Sequence, residues 1–447
     1  MTGRTPSQHH YQHRRQAGLT LVLAAALTGT LAACGASAAP PGAAHAPIGS
    51  PSAVAAREAR LTGLAQQDVD AGAPGVIVRV DDGNGPVIEI ARQAPWTRAD
   101  HALAASDAFR MGSNTKTMVA TVVLQLVAEQ RLQLTDPVEK WLPGLIPNGS
   151  AITLRMLLDH TSGLFNYAND PNVLKAFTGQ DTRPWTPGEL IGAAVRHDPL
   201  FAPGAQYSYS NTNYVALGLV AEKASGQSLG ELIQQRIAGP LHLANTYLVT
   251  GSGEPKSPAL AHGYEPDAAQ LAPVLPPGTP AGTAFAGPAR PAGYVDTTWI
   301  NPSTEWAAGS MVSTAQDWAR FDTALMSGKL LAPAQLKEMQ TTVAEESGNP
   351  NRYGLGLEQV VTPCGTVWGH VGQVPGYSSE DYTDATGHRT VSVFTTTIFG
   401  LASPKTGPAD QALVNAAVCT MLDQPIPSTS ASPASVQNLD SPVAETP

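Results

Sequence analysis

The chain has 447 residues, 42% hydrophobic and 14% charged, enough to bury a sizeable core, while 42 glycines and 38 prolines imply long loops. A formal net charge of −10 without any stripe of clustered Lys and Arg argues against nucleic acid as a partner, since neutralising phosphates needs such a stripe. Zinc-ligand spacing and phosphate-cradling glycine loops are both missing, so no cofactor is expected.

At the N-terminus, Arg14 and Arg15 precede an apolar run from Leu19 to Ala33, the charge-then-hydrophobe layout of a secretory signal over residues 1–33. The run ends in Leu31-Ala32-Ala33-Cys34, which is similar to a bacterial lipobox and would make Cys34 a lipidated mature N-terminus anchored to a membrane. A non-lipidated signal and a permanent anchor are the alternatives, although a spanning helix needs ~20 apolar residues. His9, His10 and His13 form a terminal cluster read as incidental. Residues 34–58, rich in Ala, Pro, Gly and Ser, read as a flexible tether.

The folded part opens with a hairpin: Gly75–Val80 and Val87–Ile90 flank an Asp82-Gly83-Asn84-Gly85 turn. Next comes Ser113-Asn114-Thr115-Lys116, followed by Met118, Val119, Val122, Val123, Leu126 and Val127 at helical spacing. The serine should therefore open a buried helix, with Lys116 on the same face one turn on. Burial lowers an amine's pKa, which suits Lys116 to draw the proton from Ser113. A Ser-x-x-Lys match arises about once by chance in a chain this long, so its partners decide its meaning.

Residues 133–305 read as short helices and Pro-rich loops, for example Leu190–Arg196 and Leu229–Ile237. Within them lies Tyr209-Ser210-Asn211, where a phenol beside a lysine can act as a general base and a carboxamide can orient a substrate amide. Tyr167-Ala168-Asn169 has the same spacing; Tyr209 is preferred because Pro203-Gly204 before it and an apolar helix after it define a rigid loop. Further on, His370-Val371-Gly372-Gln373 suits an edge strand whose backbone approaches a ligand. Strands are expected at Tyr377–Asp381 and Thr390–Ile398, then a helix from about Asp410 to Leu422. The tail, 425–447, lacks a hydrophobic period and should be disordered. Both ends thus supply one sheet: residues 59–132 and 306–424 make an α/β sandwich with an antiparallel sheet, interrupted by the helical region 133–305.

Serine-lysine, tyrosine-asparagine and histidine-glycine in that order, together with Leu157–Leu164 and Tyr353-Gly354-Leu355-Gly356-Leu357, resemble the penicillin-recognising serine hydrolases. The resemblance covers roughly residues 60 to 423 and is strongest to the secreted D-alanyl-D-alanine carboxypeptidases of actinomycetes. It implies the sandwich fold, with the three motifs meeting in a cleft. It further implies that Ser113 is acylated, that Lys116 and Tyr209 relay its proton, and that Asn211, His370, Gly372 and Gln373 contact substrate. The Ser113 and Gln373 backbone amides would hold the oxyanion. Peptidoglycan-type peptides are the implied substrates, and beta-lactams are possible covalent ligands.

If Cys34 takes lipid, Cys364 and Cys419 remain as one pair, which an oxidising exterior favours as a disulfide; free buried thiols are the alternative. The resemblance also points to a bridge. Two departures bear on substrate: the relatives place threonines around the third motif's glycine and an arginine before it to grip a carboxylate, whereas this chain has Val371, Gln373 and Glu358. Arg352 or Arg290 could substitute. His370 stands where the family's lactamases carry lysine, which disfavours lactamase activity. A DD-peptidase-like enzyme, an esterase and a non-catalytic binding module remain as readings.

Overall fold

A computed structural model describes residues 51–250, 259–275, 279–345 and 348–426. Its centre is an eight-stranded antiparallel sheet built from the two ends of the described chain. The strands are β1 (Gly75–Asp81), β2 (Ile88–Gln93), β3 (Val343–Ala344), β4 (Arg352–Tyr353), β5 (Glu358–Thr362), β6 (Gly365–Val374), β7 (Tyr377–Thr383) and β8 (Thr390–Thr395). Their order is β2-β1-β8-β7-β6-β5-β4-β3, so β1, an early strand, pairs with β8, the last.

Alternation along β1 sets the layers, because successive side chains leave opposite faces of a strand. Val76, Val78 and Val80 enter one apolar cluster with Leu61, Ala65 and Val69 of helix α1 (Pro51–Ala71). The same cluster takes Leu413, Val414, Ala417 and Val418 from the C-terminal helix (Thr406–Met421). Ile77 points the other way, into the larger core of helix α2 (Thr115–Ala128), helix α3 (Asn211–Ser225) and helix α4 (Ala315–Met326). The result is helices, sheet and helical region in three layers, the expected sandwich. Cys364 and Cys419 form a disulfide that ties the start of β6 to the C-terminal helix.

Three boundaries differ from expectation. Part of the expected tether, from Pro51 to Glu58, is helical, because Leu61, Ala65 and Val69 give α1 a buried face and Arg57 pairs with Asp82 and Asp423. The helical region also carries strands: Tyr264–Pro266, Ala289–Arg290 and Tyr294–Asp296 make a small sheet, and Tyr247–Leu248 joins Met311–Ser313. These short strands lack the length for period-2 alternation to register. Ile426 packs on the α1 cluster, inside the expected tail. The signal, Cys34, the His9–His13 cluster and residues 427–447 lie outside the described residues.

Candidate active site

Ser113 sits in a single 3-10 turn, Gly112–Asn114, that feeds directly into α2. The turn is pinned from both sides. Met111 N–H donates to the Met311 carbonyl at 2.9 Å, and Thr115 Oγ1 bridges the Gly112 carbonyl and the Met311 amide. Across the cleft, Asn114 Nδ2 donates to Ser379 Oγ at 2.8 Å, and Ser379 Oγ donates to the Met111 carbonyl at 3.0 Å.

Two glycines permit this close approach. Gly112 has φ +49°, and a Cβ there would stand 2.4 Å from the Gln373 amide nitrogen. At Gly372, in β6, a Cβ would stand 1.9 Å from the Met111 carbonyl oxygen. The nucleophile turn therefore rests directly on the third motif, with the Gln373 amide beside the residue preceding Ser113. β6 is an inner strand of the sheet over its first half, so the edge expected at the third motif is confined to the second half. Only its first half pairs with β5, up to Gly369, whereas the motif-bearing half pairs with β7 alone. The expected backbone approach thus comes from half a strand.

Lys116 is fully buried and its Nζ lies within hydrogen-bond distance of Ser113 Oγ at 2.9 Å, Asn211 Oδ1 at 2.7 Å and the Ala308 carbonyl at 2.8 Å. Asn211 Oδ1 and the Ala308 carbonyl oxygen can only accept, so they engage two N–H groups and aim the third position of the amine at the serine. Tyr209 lies under the same amine, 4.7 Å from ring centroid to Nζ, and is 8% exposed. Asn211 begins α3, and its amide donates to Asn166 Oδ1 at 3.2 Å. The rival Tyr167 is spent elsewhere: it is 1% exposed and its hydroxyl donates to the Thr304 carbonyl at 2.6 Å.

His370 is buried under this group. Its Nδ1 lies 2.5 Å from the Val371 carbonyl and 3.6 Å from Glu358 Oε1, both acceptors, so Nδ1 is assigned the proton and Nε2 accepts from the Tyr353 hydroxyl at 2.9 Å. Burial first, then the Lys116 charge, pulls His370 down to about 3, which leaves the ring neutral at ordinary pH. Val371 packs on the α1 side of the sheet. Neither suggested substitute faces the third motif. Arg290 pairs with Asp100 at 2.6 Å and Asp296 at 3.1 Å, and Arg352, exposed and donating to Thr342 Oγ1 at 2.8 Å, precedes Tyr353 in β4 and so leaves the sheet face opposite the one Tyr353 presents to His370.

The geometry brings Ser113, Lys116, Tyr209, Asn211, His370, Gly372 and Gln373 into one region. Sequence reasoning missed the Ala308 carbonyl, which no motif could signal because any residue supplies one. It also gave no role to His160, Tyr353 or Asn166, although Leu157–Leu164 and Tyr353–Leu357 stood out as motifs.

The Beta-lactamase family model matches residues 54–416. The chain belongs to that family. Among solved structures, the D-stereospecific amidohydrolase from Streptomyces sp. is 34% identical with a TM-score of 0.66, covering 76% of this chain and 95% of that one. The D-amino acid amidase from Ochrobactrum anthropi SV3 shares the fold, with a TM-score of 0.70 at 24% identity over 81% of this chain and 98% of that one. Penicillin-binding protein 4* of Bacillus subtilis (strain 168) is 28% identical over 61% of this chain and 56% of its own length. Esterase EstB of Burkholderia gladioli is 35% identical over 33% of this chain and 40% of its own length. The chain spans 61% and 56% of the first two curated relatives it matches. Proteins named for penicillin binding, an esterase and an amidohydrolase are thus all among those this chain is similar to.

Proposed function

We propose that this protein is an acyl-serine amidohydrolase acting outside the cytoplasm on amides or short peptides of D-amino acids. One observation carries the reading: a buried amine held by Asn211 and Ala308 with its remaining position 2.9 Å from Ser113 Oγ. In the neutral amine the lone pair faces Ser113, which donates its hydroxyl proton to Nζ as Oγ attacks the carbonyl carbon. The oxyanion forms against the Ser113 and Gln373 amides. Collapse expels the amine, which takes the proton back through Lys116 and Tyr209, and leaves an ester on Ser113. Water then attacks that ester, deprotonated by the same pair, and frees the acid. The Cys364–Cys419 bridge and the signal-like N-terminus support an oxidising location, with Cys34 as a proposed lipid anchor.

The third motif favours an uncharged leaving group over a terminal carboxylate. Neutral His370, Glu358 at 3.6 Å and Arg290, paired with two carboxylates, supply no cation there, and Arg352 leaves the opposite face of β4 from Tyr353. Each charge-assisted bond a carboxylate forgoes is worth ~1.5–3 kcal/mol. A D-alanyl-D-alanine carboxypeptidase is therefore the less favoured form of the same chemistry, and the 34% identical Streptomyces amidohydrolase supports the amidase form. The esterase reading draws on the same missing grip and on the likeness to Esterase EstB. A panel of D-amino-acid amides, D-Ala-D-Ala peptides, lactams and aryl esters, run on the parent chain and on Ser113→Ala, tests it. Release of ammonia from the amides, lost in Ser113→Ala, is expected. Turnover of aryl esters alone would select the esterase, and amide turnover surviving Ser113→Ala would defeat the assignment.

A further inference from the structure

Behind Tyr209 lies a buried imidazole to which the mechanism gives no role. His160 is 0% exposed and adopts φ 58°, the left-handed region that histidine and asparagine tolerate better than most residues. Its Nδ1 lies 3.2 Å from the Ser210 amide nitrogen and 3.0 Å from Asn213 Nδ2. Ser162 Oγ donates to Asn213 Oδ1 at 2.6 Å, which turns the Asn213 amino group toward the imidazole. Both neighbours of Nδ1 are donors, so the neutral ring carries its hydrogen on Nε2.

The same ring is a platform. It lies 4.2 Å from the Tyr209 ring, centroid to centroid, at 32°, while Tyr353 meets it edge-on at 4.8 Å. Tyr214 and Tyr207 close further sides at 5.3 and 6.0 Å. Beyond Tyr209 stands Lys116, and beyond Tyr353 stands His370, with Glu358 beside it. Burial, then Lys116 and His370, drive His160 well below the usual imidazole range, so the ring beside Tyr209 stays neutral.

We propose that His160 is a positioning residue for the Ser113–Lys116–Tyr209 proton path. It fixes the start of α3 through its acceptor nitrogen and fixes Tyr209 through the ring stack. The proposal rests on the acyl-serine reading above. His160 acts through its neighbours, by holding Tyr209 and Asn211 against Lys116 and by keeping water from that side of the amine.

The test uses the full chain and three variants, with p-nitrophenyl acetate burst rates from pH 5 to 9 and thermal melts. His160→Phe keeps a platform without the acceptor, His160→Asn keeps an acceptor and tolerates the left-handed φ, and His160→Ala removes both. A displacement of ~1 Å in such a site costs about 100-fold in rate, which is the loss expected for His160→Ala, with His160→Phe and His160→Asn, each keeping one of the two contacts, falling between His160→Ala and the parent. In His160→Ala the acid limb of the profile should also move to higher pH, because water beside Lys116 lets the amine keep its proton longer. An unshifted limb, whether or not the melting temperature falls, would mean a merely structural residue and overturn the proposal, as would unchanged rates in all three. The absence of any Ser113-dependent burst in the parent chain would instead remove the acyl-serine reading, and the proposal with it.

Discussion

Adding one methyl group at Gly372 should disable the site. The Cβ would stand 1.9 Å from the Met111 carbonyl oxygen, 2.7 Å from Ser379 Oγ and 2.9 Å from Asn114 Nδ2. The Ser379 side chain can rotate away, but Met111 O is backbone of the nucleophile turn, so turn and strand must part by about 1 Å or more to restore contact distance. That shift draws the Gln373 amide away from the oxyanion position. Losing one such donor costs ~3 kcal/mol, or 10²–10³ in rate, while overpacking costs stability ~1–3 kcal/mol. In Gly372→Ala the pre-steady-state burst of p-nitrophenol should therefore slow by at least ~100-fold with only a modest fall in melting temperature. A parental burst rate would mean that the turn and β6 do not form the oxyanion site together.

Further expectations follow from the same geometry. Lys116→Met fills a similar volume without a base and should lower acylation by ~10²–10⁴; a persisting burst would point to another base. Glu358→Arg puts a cation beside His370 and should raise turnover of carboxylate-ended D-peptides relative to amides by ~10–100-fold, from ~1.5–3 kcal/mol per charge-assisted bond. An unchanged preference would place the carboxylate site elsewhere. Cys364→Ser with Cys419→Ser opens a closure spanning 55 residues and should cost about 4 kcal/mol in denaturant unfolding; an unchanged midpoint would refute this. Burial raises Glu265 and Glu305 to about 7, and Asp322 and Asp381 also lie well above the usual carboxylate range. A carboxyl raised in the fold stabilises it while protonated. That contribution is complete below the unfolded value near 4 and is lost as pH rises through the folded one. Melting temperature should therefore fall between about pH 4 and 7, the span from the unfolded to the folded value of Glu265 and Glu305, and a rise over that range would contradict the burial argument.

What the sequence disclosed is what local pattern carries. The hairpin was legible because Asp82-Gly83-Asn84-Gly85 is a turn signal between β-branched runs, and α2 because its apolar spacing is helical. The Ser113, Tyr209 and His370 motifs were legible as an ordered set. The small sheet around Tyr264 and Tyr294 was not, because its strands run two or three residues and exist only through tertiary pairing. Nor was the paired half of β6, since strand neighbours depend on topology rather than on composition. The fate of Arg290 was equally hidden: a long side chain can be committed by a partner distant in sequence, here Asp100, 190 positions away. His160 shows the remaining gap. A buried histidine is visible as a letter, but its acceptor role depends on Ser210 and Asn213, some fifty positions away.

The most direct measurement is the intact mass of the protein after incubation with benzylpenicillin and, separately, with a D-amino-acid aryl ester, followed by peptide mapping. The account predicts a covalent acyl adduct on the peptide carrying Ser113, formed by the parent chain and lost in Ser113→Ala. An adduct on another residue, or none with any acyl donor while the protein remains folded, would contradict it.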